Sequence, residues 1–178
     1  MTVGVEPLSP RRKWQAITVA TLILVPGYWA LLAGLVAAAD SGSSAAAPHP
    51  VAALALGLAV VPFVFVVLAF MTGHPGAPGA VLRAMGLSLL VAVLVSAFAG
   101  DGVSGIVAGV GAGGIVALRR DEPHTWQARA LGVAVAVLYT FVLVRVVGAL
   151  ALLPAPVFPL TAIGFADHLA EWRAERES

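Results

Sequence analysis

The chain has 178 residues, 60% of them hydrophobic and 11% charged, with a mean hydropathy of +0.99. A soluble domain carries about 45–50% apolar and about 25% charged residues, so this composition leaves too little polar surface to cover a globule in water. A net charge of +1 gives no basic excess for nucleic acid, and the absence of cysteine excludes disulfides, thiol catalysis and thiolate metal sites.

These bounds predict an all-α, polytopic transmembrane helix bundle. Residues 1–14 form a basic segment ending in Arg11-Arg12-Lys13 and Trp14. The apolar run behind it, Ala16 to Ala39, outlasts the roughly 7–15 residues of a cleaved signal core, so it reads as a retained first span. About 20 apolar residues cross a hydrocarbon core of roughly 30 Å. On that ruler about five spans are predicted, near 15–39, 51–72, 81–99, 103–118 and 130–153, making 15–153 the bundle. The last segment, 154–178, begins with Pro154, Pro156 and Pro159 and reads as a loop followed by a short amphipathic helix. In that helix Phe165, Leu169 and Trp172 share a face.

Two other counts stay open. The 103–118 span is short and glycine-dense, and could re-enter under the cover of protein. A sixth crossing would follow if helix five ended near Gly148.

Sidedness follows from lysine and arginine. With a cytoplasmic N-terminus, Arg11, Arg12, Lys13, Arg83, Arg119, Arg120 and Arg129 fall inside, and only Arg173 and Arg176 fall outside. Seven against two satisfies the positive-inside rule, and five spans then put 154–178 on the extracytoplasmic side. Abundant alanine, valine, glycine and arginine with a single lysine suggest a bacterial protein, hence its cytoplasmic membrane.

The most distinctive pattern is a ladder of small residues. Ala84, Ser88, Ala92, Ser96 and Gly100 recur every fourth residue, and Gly105, Gly109 and Gly113 repeat the spacing beyond a short turn. Such faces let helix backbones approach closely in lipid, which predicts a tight hairpin of helices three and four. The same face could instead serve self-association or partner docking.

Arg145 is the charge expected deepest within a span, about eight residues from the outer end of helix five. A buried charge normally has a partner, and Asp101 on the helix three–four turn is the first choice, with Asp40 second. Pro26 and Pro62 remove backbone hydrogen bonds near mid-span. With Gly27, Tyr28 and Trp29 they mark kinks and a candidate cavity.

No pair of histidines has ligand spacing, and no catalytic constellation is visible, so neither a metal, a cofactor nor an enzymatic activity is expected. The expected partners are the lipid bilayer and either another membrane protein or further copies of the chain, and not nucleic acid. The function expected is an accessory or scaffold subunit acting by helix packing. The alternative is a small oligomeric transporter or channel with Arg145 near its pathway.

Overall fold

Ser9 and Pro10 open the first helix: the Ser9 carbonyl accepts from the Arg12 and Lys13 amides, and proline suits a first-turn position because no amide donor is needed there. The computed structural model describes residues 8–40, 48–119, 125–152, 160–162, 164, 165, 168, 172 and 176. Helix α1 spans Pro10–Asp40, α2 Pro48–Met71, α3 Ala77–Ala99, α4 Gly102–Ala117 and α5 Thr125–Val147, and a 3-10 turn, Gly148–Leu152, follows. No strand occurs among the described residues. Three stretches, Pro10–Gly34, Ala77–Ala99 and Trp126–Val147, are long and apolar enough to cross a membrane. Leu82, Leu89 and Phe98 of α3 and Leu131, Leu138 and Val142 of α5 point outward, as lipid-facing side chains do.

The turns explain why the helices stop where they do. Gly73 takes a left-handed φ of 64° after α2. Its amide donates to the Phe70 carbonyl, and that of His74 donates to the Ala69 carbonyl. This is a Schellman closure, which satisfies the last carbonyls of the helix. Gly100, with φ 74°, ends α3 in a similar left-handed conformation, and Asp101 at once begins α4 as its N-cap.

Helix α4 occupies the middle of the bundle. From Ser104 to Ala117 all its residues are buried except Ile106 and Val116, which are half-buried. At 1.5 Å per residue it is roughly 24 Å long, shorter than the hydrocarbon core, and protein rather than lipid surrounds it. One core cluster joins α1, α2, α3 and α4 around Leu24, Phe65, Leu68, Ala84 and Val107. A smaller one seats Val133, Val137 and Phe141 of α5 on Val91, Val95, Ala108 and Ala112.

The helices alternate in direction, so the start of α1, the ends of α2 and α4 and the start of α5 share one end of the bundle. Hydrogen bonds confirm the arrangement. Arg12 at the start of α1 donates to the Met71 carbonyl at the end of α2, 2.8 Å away. Arg119, just past α4, donates to the Gly73 carbonyl at 3.2 Å.

The segment after α5 departs from its expected place. Helix α5 ends at Val147 rather than near Leu153, because Gly148 turns the chain with φ 59°. Leu160 is then buried against Gly114, and Gly164 lies against Ile17 and Trp14. Both contacts are near the end at which α1 starts. Val147 stands roughly 27 Å further along α5 than Arg129, at the other end. The described part of the last segment therefore shares an end with the N-terminal helix start, instead of lying across the bundle from it. Residues 153–159, with their three prolines, and Leu169 lie outside the described residues. Phe165 and Trp172 of the expected apolar stripe are exposed, and the Arg176 guanidinium stacks 3.7 Å over the Trp172 ring.

Candidate functional site

The small-residue ladders meet each other. A Cβ added at Gly105 would run into Ser96 Oγ and the Ala92 carbonyl. One at Gly109 would lie 2.5 Å from the Ser88 carbonyl and 2.9 Å from the Ala92 Cβ. At Gly113 it would strike the Phe65 ring and come within 2.9 Å of the Ala84 carbonyl. Ala84, Ser88, Ala92 and Ser96 of α3 thus face Gly105, Gly109 and Gly113 of α4 along the hairpin, and α2 contributes Phe65 at one end. A further glycine of α4, Gly114, is the seat of Leu160. These faces are already covered within the chain. Gly100 itself is exposed on the turn with nothing near its added Cβ.

The residues expected to mark kinks divide between core and surface. Gly27 is pressed against Val60, whose side-chain carbons lie 2.8–2.9 Å from its hypothetical Cβ. The two prolines therefore each lie within two residues of this close contact between α1 and α2. Tyr28 is buried, and its hydroxyl has no hydrogen-bond partner among the described residues. Pro26 is exposed, and Trp29 points outward beside a groove that it shares with Leu32, Ala33, Val36, Ala37 and Asp40. Pro62 lines a separate groove of about 200 Å³ between α2, α3 and α4, where Phe65, Met85, Ile106 and Val110 are apolar and Ser88 is polar. Pro26, Tyr28, Trp29 and Pro62 do not converge on one cavity.

Arg145 and Asp101 are not brought together. Both carboxylate oxygens of Asp101 are engaged by Ser104, Oδ1 by its amide at 2.7 Å and Oδ2 by its hydroxyl at 2.8 Å. Arg145 is exposed and lies in the last turn of α5, two residues before its end. A cation there is favoured by the helix dipole.

The densest polar assembly was read in the sequence only as a sidedness count. Four of the seven basic residues assigned to the cytoplasm, Arg12, Arg83, Arg119 and Arg129, gather round the α2–α3 turn. Besides the Arg12 and Arg119 bonds, the Arg119 amide donates to Thr72 Oγ1 at 3.4 Å, and Arg129 Nη2 donates to His74 Nε2 at 3.2 Å. His74 Nδ1–H donates to the Pro75 carbonyl at 2.8 Å, so the ring is neutral in this arrangement. Burial, and then the positive charges of Arg129, Arg83 and Arg119, hold His74 below the usual imidazole range; its bond to Pro75 acts in the opposite sense. Lys13 and Arg119 are both buried. Helices bring these residues together from separations of up to 117 positions (129 minus 12), so no local spacing announces them.

Among the described residues no group of three or more potential metal ligands occurs. A scan of protein-family models, a search of curated proteins and a search of solved structures each return no match to this chain.

Proposed function

We propose that this chain is an accessory or scaffold subunit of a bacterial cytoplasmic membrane, working by helix packing with other membrane proteins. In this reading α1 to α5 all cross the bilayer, the N-terminus is cytoplasmic, and the segment around Leu160 and Gly164 returns to the cytoplasmic side. The observation that carries the proposal is the poor burial of α5. Of the three long apolar helices it is the least covered by its own chain. Its residues Leu131, Val135, Leu138, Val142 and Val146 form a continuous exposed stripe, while the small-residue faces of α3 and α4 are closed internally. In lipid, helices associate by packing, and α5 offers the widest uncovered face for it.

The transporter reading finds less support. Thr21, Thr72 and Thr140 bond carbonyls of their own helices, the Pro62 groove is apolar apart from Ser88, and Arg145 sits at a helix end. The test is site-specific photocrosslinking in native membranes. A crosslinker at Leu138 is expected to trap one protein in fixed stoichiometry, whereas one at Leu89 on α3 traps mainly lipid. Equal, diffuse labelling from both positions refutes a docking role for α5.

A further inference from the structure

We infer that the groove between α2, α3 and α4 is a binding site for a lipid-soluble molecule whose ring-sized apolar head carries a hydroxyl or carbonyl oxygen, with Ser88 as the residue that bonds that oxygen. The groove holds about 200 Å³, and an apolar cavity of about 150 Å³ is enough to take up benzene. Pro62 of α2 and Ile106 and Val110 of α4 form apolar walls, and Ser88 is the polar side chain that lines it. Met85 and Leu89, both exposed, stand at its mouth.

The Ser88 hydroxyl separates this groove from a cleft that acyl chains fill. Ser88 is 9% exposed and stands at the centre of α3, eleven residues from each end (88 minus 77 and 99 minus 88). That is roughly 17 Å from either end of the helix. Where α3 crosses a bilayer, this depth is the middle of the hydrocarbon, out of reach of water and headgroup oxygens, and an unbonded hydroxyl there costs free energy. Thr21, Thr72 and Thr140 avoid the cost by donating to carbonyls four residues back. Among the described residues Ser88 has no such bond. Packing on α4 does not call for an oxygen here, because Ala84 and Ala92, one turn to either side, meet the glycine face without one. An acyl chain offers the hydroxyl nothing. A ring bearing one oxygen accepts its hydrogen bond and leaves the remaining surface to the apolar walls. The site needs α2, α3 and α4 to lie in the bilayer and makes no use of α5, so it stands apart from the docking role of that helix.

The test uses full-length protein in phosphatidylcholine nanodiscs and equilibrium dialysis of two probes, 1-naphthol and naphthalene, the same two rings without the oxygen. Comparing each probe between variants cancels its partition into lipid. The wild type is expected to bind 1-naphthol about fivefold more tightly than Ser88→Ala does, the effect of roughly one neutral hydrogen bond. Naphthalene binds both equally. Ser88→Cys, close in size with a weaker donor, falls between them for 1-naphthol. Ser96→Ala removes a hydroxyl about two turns further along the same face but outside the groove, and leaves the binding of both probes intact. Three outcomes overturn the inference. One is equal binding of 1-naphthol by the wild type and Ser88→Ala, as when the hydroxyl turns back to its own helix and only acyl chains enter. Another is the same loss in Ser96→Ala. The third is no saturable binding of either probe, as when a second copy of the chain covers the groove.

Discussion

Adding one methyl group to α4 is expected to force the central hairpin apart. In Gly109→Ala the new Cβ would lie 2.5 Å from the Ser88 carbonyl oxygen, against the 3.4 Å at which ordinary contact begins. The obstacle is backbone, so no rotamer change relieves it. The helices must separate locally by about 0.9 Å, the difference between those two distances. A gap of 0.5–1 Å forfeits about a quarter to a half of each dispersion well, and overpacking of this kind costs about 1–3 kcal/mol. The alanine recovers about 0.5–1 kcal/mol of helix propensity. The net loss is roughly 1–2 kcal/mol, or about 3–6 °C in unfolding midpoint for a chain of this size. Gly86 on α3 is the internal control. It is exposed, with nothing within 4 Å of its added Cβ, so Gly86→Ala gains the propensity term alone and raises the midpoint. Thermal unfolding of both variants in one detergent measures the contrast. A Gly109→Ala protein as stable as Gly86→Ala would refute close packing of α3 on α4.

Because the chain lacks cysteine, single cysteines report sidedness cleanly: Ser9→Cys and His168→Cys are expected to react with an impermeant maleimide from the same side, and Asp40→Cys from the other. Labelling of positions 9 and 168 from opposite sides would return the last segment to the place that five crossings predict. Asp101→Ala removes the α4 cap at about 1 kcal/mol, and a double-mutant cycle with Arg145→Ala is expected to show coupling near zero; strong coupling would restore the pair. Tyr28→Phe deletes a buried hydroxyl that has no partner among the described residues, so stability is unchanged or rises by about 1 kcal/mol, and a marked loss on calorimetry would reveal a partner for it. His74 is held below its usual range, so the unfolded chain binds more protons than the folded one. Stability is full above the ordinary imidazole value of about 6.5 and falls as pH drops through it toward the lower folded value. His74→Gln should flatten that slope, and a midpoint independent of pH in the wild type counts against neutral His74.

What the sequence made legible was whatever repeats along one helix. Apolar runs showed that the chain is helical and where its long apolar stretches lie, because length and hydropathy are local properties, but not where α5 begins and ends. The every-fourth spacing of Ala84 to Ser96 and Gly105 to Gly113 predicted the hairpin contact, because both halves of the interface carry the same period on either side of a tight turn. Relations set by tertiary placement were not legible. Arg145 looked deep only because the apolar run continues to Leu153, whereas a single left-handed glycine at 148 ends the helix. Asp101 looked free because capping competes with long-range pairing, and the neighbour at Ser104 won both carboxylate oxygens. Three prolines suggested an outer loop, but the burial of Leu160 is decided by the glycine face of α4, some 46 residues earlier (160 minus 114). Pro26 and Pro62 share the α1–α2 contact, yet one faces outward and the other faces a groove, since proline marks a kink without saying which way it opens.

The glycine at 114 has a bearing on how the protein is made. Helix α4 is too short and too smooth to sit in lipid by itself, and its sides are covered by elements synthesised before and after it. Until residues 160–164 have emerged, that face of α4 has no lid, although every helix of the bundle is already in place. The last contact to form is thus a leucine set on a glycine, next to the tryptophan of the first helix. A chain stopped short of it would keep α1 to α5 and still present an open seam along α4, where Gly114 otherwise receives Leu160.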